Sequence, residues 1–162
     1  MFCVPAPLKF EHQELDRELA QAIRRGGRVG IAAKRVADLL RAQFERDEEW
    51  TLRPLGALPE LAAGNQVTDA VHLVDLTMRL KEELPTMSSE YGVILASLDE
   101  LAEAAADGSD SDIERVVGML KRHADIKTHV LYPAALLVGE FLKRQSTMTT
   151  TPARWPEHRS DP

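Results

Sequence analysis

The chain has 162 residues, carries a net charge of -6 and is poor in aromatic residues at 5%. That length suits one domain able to bury a core without staples, and the acidic balance excludes a nucleic-acid footprint. A single cysteine, Cys3, excludes an intramolecular disulfide and fits a reducing, cytoplasmic setting.

The first segment, Met1 to Phe10, contains Pro5 and Pro7 and lacks the apolar run of a signal peptide. A helix is expected from about Pro7 to Arg25, with Leu8, His12, Leu15, Leu19 and Ile23 on one face and Gly26-Gly27 as its stop. A second is expected from about Arg28 to Thr51. Its stripe runs through Val36, Leu39 or Leu40, Gln43, Asp47 and Trp50, and Pro54 prevents continuation. Residues 53–66 read as a connector with one helical turn at 60–63.

The third helix is expected from about Thr68 to Ala106, kinked or divided at Pro85. Its stripe is Leu73, Leu76, Leu80, Leu84, Met87, Tyr91, Ile94, Leu98 and Leu101. A Gly108-Ser109-Asp110 turn follows, then a helix started by a capping box of Ser111 and Glu114. Its stripe holds Ile113, Val116 or Val117, Leu120, His123 and Lys127, and Pro133 predicts a bend before the helix resumes to about Lys143. Residues 1–145 therefore read as one all-α domain, an antiparallel up-down four-helix bundle, and residues 146–162 as a disordered polar tail. The longest nearly apolar run, Val130 to Gly139, is too short to cross a membrane. Met78, Met87 and Met119 read as core packing, and Trp50 as packing at the bundle end. His72, His129 and Asp16 read as surface residues.

The informative anomaly is polar residues in the seam of every helix: His12, Gln43 with Asp47, Tyr91, and His123 with Lys127. The pairs Gln43/Asp47 and His123/Lys127 are spaced i, i+4 and share a helix face. Buried polar groups are costly unless partnered, so the set implies a shared internal site. No phosphate loop, nucleophile elbow or cysteine-based zinc site accompanies it; an enzyme using Tyr91 and Lys127 as an acid/base pair is a further, less favoured reading, without a supporting substrate motif.

At these residues the chain resembles the bacterial hemerythrin-like (HHE cation-binding) domain family. The resemblance rests on Glu11-His12 with Leu15 and Leu19; on Gln43 through Glu49, continuing to Leu52, Pro54 and Leu55; on Ser89-Glu90-Tyr91 with Ile94 and Leu98; and on His123-Ala124 with Val130 through Ala135. It spans about residues 7 to 143. It implies a four-helix bundle holding two non-haem irons on histidines and carboxylates, and a role in oxygen, iron or redox binding or sensing. Carried over, His12 and His123 match family histidines and Asp47 stands at a carboxylate position. Gln43 and Tyr91 replace histidines, and Lys127 replaces the carboxylate that bridges the metals.

The candidate metal ligands are therefore His12, Asp47, Tyr91 and His123, with Gln43, Glu48 and Lys127 lining the site or replacing the metal. A protonated lysine donates and cannot accept. One charge about 5 Å from a dication costs roughly 6–7 kcal/mol at an effective dielectric of 20. Two expectations stay open. One is an altered non-haem iron site, mononuclear or weakly loaded, with a small ligand such as dioxygen. The other is a metal-free binding or interaction protein in which the Lys127 ammonium stands in for the metal, pairs with Asp47 or Glu48 and hydrogen-bonds Tyr91 or Gln43. A protein partner is left unknown; nucleic acid and membrane are not expected.

Overall fold

The computed structural model describes residues 3–108 and 110–149. They form an all-helical structure of four packed rods, compatible with a four-helix bundle. The first rod is α1, Ala6–Arg24, and the second is α2, Gly27–Arg46, which runs on through a π-helical turn, π1, at Asp47–Leu52. Two short helices, α3 at Arg53–Leu55 and α4 at Leu58–Ala62, make up the connector. The third rod is α5, Ala70–Ala106. The fourth is α6, Ser111–Ile126, continued by a second π-helical turn, π2, at Lys127–Leu131, and by α7, Tyr132–Thr149. No helix among the described residues is long and apolar enough to cross a membrane.

The connections follow local chemistry. Gly26 and Gly27 take φ of 69° and 58°, a region that a side chain would disfavour, and so break the helical path between α1 and α2. α6 is capped by Asp110, whose Oδ1 accepts from the Ile113 amide at 3.3 Å. The expected box of Ser111 and Glu114 is thus displaced by one residue: Ser111 is already the first helical residue, and aspartate caps as well as serine does. Arg25 pairs with Asp110 and Asp112, and Arg28 with Asp107. These exposed pairs add little stability, but they place the α1–α2 and α5–α6 turns at the same end.

Prolines interrupt less than the sequence suggests. Pro85 leaves α5 undivided, because its ring lies on the exposed side, where solvent can satisfy the carbonyl it leaves unbonded. Pro54 and Pro133 each sit in the first turn after a π-turn, where an amide N–H is dispensable. The helical path therefore continues past Pro54 into two short helices, not one turn. α7 runs beyond Lys143 to Thr149, so residues 146–149 are helical; the remainder of the expected tail, 150–162, lies outside the described residues.

Two apolar clusters make the core. One, at the turn end, joins Leu15, Leu19, Val36, Leu40, Phe44, Ile94, Leu98, Leu101, Ile113 and Leu120. The other joins Leu52, Leu55, Leu73, Leu76, Leu80, Met87, Tyr132, Val138 and Leu142. Met78 does not belong to either: it is 49% exposed, on the side of α5 away from the stripe. Met119 is half-buried against the first cluster, and Trp50 against the second. On each rod the anomalous polar residue falls between the two clusters.

α5 and α7 approach closely at Gly139, where an added Cβ would lie 2.7 Å from Thr77 Cβ. Gly118, also inside a helix, has open space instead. Gly139→Ala is expected to destabilise the fold by about 1–3 kcal/mol through overpacking. Gly118→Ala is expected to stabilise it by about 0.5–1 kcal/mol through the helix propensity of alanine. Urea denaturation midpoints of the two variants check the contrast.

Candidate functional site

The polar layer has two halves. In the first, Lys127 and Asp47 face each other across the bundle from the first positions of the two π-turns. Lys127 is 3% exposed and Asp47 1%. Lys127 Nζ donates to Asp47 Oδ2 at 2.8 Å and to Gln43 Oε1 at 2.9 Å. The remaining carboxylate oxygen, Asp47 Oδ1, accepts from the Tyr132 hydroxyl at 2.8 Å. Burial, followed by repulsion from the Asp47 carboxylate, raises the Tyr132 pKa well above the ordinary phenol value, so this hydroxyl keeps its proton and donates. The ammonium also lies 5.8 Å from the Tyr132 ring centroid, within cation–π range.

The π-turns make this possible. The Tyr132 amide bonds the Lys127 carbonyl, a five-residue span, and the Arg53 amide likewise bonds the Glu48 carbonyl. In an α-helix residues five apart lie about 140° around the axis; the wider turn brings Lys127 and Tyr132 onto one face, both reaching Asp47. Tyr132 is the site residue that a period of 3.6 does not reveal, because the turn before it is π-helical.

The second half is a ring cluster. His12 stacks on Phe44 at 4.2 Å, and His123 meets both edge-on, 5.1 Å from His12 and 5.7 Å from Phe44. His12 Nδ1 lies 3.4 Å from Glu48 Oε1. His123 Nδ1 lies 3.1 Å from Glu11 Oε1, but out of line for a hydrogen bond, and both buried His123 nitrogens lack a hydrogen-bond partner. Burial lowers the His123 pKa; Glu11 opposes this, while His12 and Lys127 add to it. Glu48 thus serves His12, not Lys127, and Glu11 is a neighbour that the stripe did not identify.

Tyr91 is only half-buried. Its hydroxyl donates to Asp125 Oδ1 at 3.4 Å, and burial, with Asp125 beside it, raises its pKa. It takes no part in the lysine network, contrary to one of the bonds expected for Lys127, and instead borders a cavity of about 260 Å³ that Gln43 and Lys127 also line. The structure brings Gln43, Asp47 and Lys127 together, and His12 with His123. It does not assemble the four candidate ligands: among the described residues no three histidine, cysteine or acidic side chains are placed to hold a metal ion. His72 and His129 are exposed, as expected, and so is Asp16.

Comparison with protein-family models, with curated proteins and with solved structures finds no match to this chain.

Removing one member of a buried ion pair leaves an uncompensated charge. Lys127→Met is expected to cost about 3–5 kcal/mol, and Lys127→Met with Asp47→Leu to recover most of that loss. Tyr132→Phe is expected to cost about 1.5–3 kcal/mol, the range for a hydrogen bond to a charged group. Denaturant unfolding of these variants in a double-mutant cycle checks both.

His123 sets a pH dependence. Its folded pKa lies below the ordinary 6.5, so its neutral form supports the fold above that value. The unfolded chain takes up the proton first, and stability is lost as pH falls below about 6.5. Urea midpoints between pH 8 and pH 5 should show this slope in the native chain and a shallower one in His123→Gln.

Proposed function

We propose that this chain is a hemerythrin-like bundle of antiparallel, up-down helices in which the Lys127–Asp47 pair occupies the place of a metal centre, and that it works as a metal-independent binding protein. The observation that carries the reading is the Lys127 ammonium, seated 2.8 Å from Asp47 and 2.9 Å from Gln43. A cation at that point compensates the buried carboxylate as a metal would, and it repels a second cation beside it.

The donor set does not suit a two-iron centre. Lys127 and Gln43 supply an ammonium and a carboxamide where iron favours carboxylate and imidazole. Asp47 has both oxygens engaged, by Lys127 and by Tyr132. His12 and His123 are adjacent but are only two ligands, and stable transition-metal sites use three or four protein donors. The helix arrangement is supported by the tight Arg25–Gly26 connection between packed α1 and α2, and by the pairing of that turn with the α5–α6 turn.

One observation favours a second reading, an altered single-metal site. The unpartnered nitrogens of His123 beside His12 are what a residual iron site would leave. Metal content per chain, measured by plasma mass spectrometry after anaerobic ferrous loading and desalting, separates the two. The metal-independent reading expects far less than one iron per chain for the native protein and a rise in Lys127→Glu, which restores an acidic ligand. One tightly held iron in the native protein would sink it in favour of the second reading.

A further inference from the structure

We propose that the cavity between α5 and α7 binds a small, uncharged, largely apolar molecule through a carbonyl oxygen held by Lys127. The proposal rests on the metal-independent reading above, since the lysine must stay paired with Asp47. The cavity measures about 260 Å³. A dry cavity of about 150 Å³ holds benzene, so this one admits a substituted aromatic ring. Its walls include Leu84, Met87 and Leu136, and its exposed lining includes Ser88 and Thr128.

The buried lining selects the ligand's polar group. An ammonium has three N–H donors. Two are taken by Asp47 and Gln43, which leaves one for a ligand. Gln43 also lines the cavity, and its amide oxygen is already engaged by Lys127. Tyr132 spends its proton on Asp47. Among the buried lining groups the one left free is therefore the third ammonium donor, and an oxygen acceptor answers it. A charge-assisted bond from the ammonium to that oxygen is stronger than one between neutral groups.

The charge balance selects a neutral molecule. Lys127 and Asp47 cancel, and Tyr132 remains a neutral phenol. A carboxylate ligand would put a second anion on one buried ammonium that Asp47 already neutralises, and a cationic ligand would face the ammonium directly. A ketone, ester or quinone carbonyl on an apolar body meets neither penalty.

The test uses the full chain with isotope-labelled methionine methyl groups, stripped of metal with chelator. Met87 lines the cavity and reports on it. The chain is titrated with acetophenone, with cumene, which keeps the shape without the oxygen, and with benzoate, which adds the charge. Acetophenone should shift the Met87 methyl resonance saturably, and cumene and benzoate should bind about tenfold more weakly or worse. Ser88→Trp, at an exposed position of the lining, should abolish the acetophenone shift, and Thr128→Trp replaces it if that variant does not fold. Equal binding of cumene, equal or tighter binding of benzoate, no saturable shift, or full binding in the folded tryptophan variant would each overturn the proposal. Tightly held iron before stripping would sink the metal-independent reading and the ligand assignment that rests on it; failure of acetophenone to bind a chain that holds no iron would sink the ligand assignment alone.

Discussion

A lysine and an aspartate buried face to face in the middle of a helical bundle constrain everything around them. Neither charge is tolerable alone in that position, so the two π-turns that carry them must be held in register. The pair adds little net stability over an apolar replacement, because desolvation of both groups offsets much of their attraction. What it adds is a tie between the second and fourth rods, since Asp47 meets Lys127 and Tyr132 together. The apolar core divides into two clusters at this level because the polar layer interrupts it.

The histidine half of the layer is built differently. His12 and His123 are held by ring contacts with Phe44 more than by hydrogen bonds, and their acidic neighbours, Glu11 and Glu48, are partly exposed. One half of the layer is thus a closed, neutralised network and the other an imidazole pair with unspent nitrogen atoms. That asymmetry is why the lysine half, where a cavity adjoins a spare donor, is the better candidate for binding a molecule.

The rods and the stripe that fills them were legible because burial follows a 3.6-residue period, and His12, Gln43, Asp47, His123 and Lys127 stood out as polar breaks in it. All five are buried. What periodicity could not reveal is the local change of period: Tyr132, five residues after Lys127, belongs to the site only because the intervening turn is π-helical. Tyr91 sat on the stripe but ends half-buried with its hydroxyl on Asp125, since a long side chain at a seam edge can reach outward. Met78 was assigned to the core by residue type, and its helix face overruled that. Asp110 rather than Ser111 caps α6 because both can, and sequence alone does not rank adjacent candidates.

Each π-turn has a further effect through helical phase. Absorbing one extra residue, it sets the rest of its rod back by about 100° relative to an uninterrupted α-helix. The packed faces of α7, with Ala135, Val138 and Leu142, and of the segment after Asp47, with Leu52 and Leu55, are set by those rotations. The two rods are therefore geared: sequence drift that shortened one turn by a residue would rotate its distal half out of mesh with α5, however well each apolar stripe were preserved. In such a bundle, length at two short stretches is under as much physical constraint as composition is elsewhere.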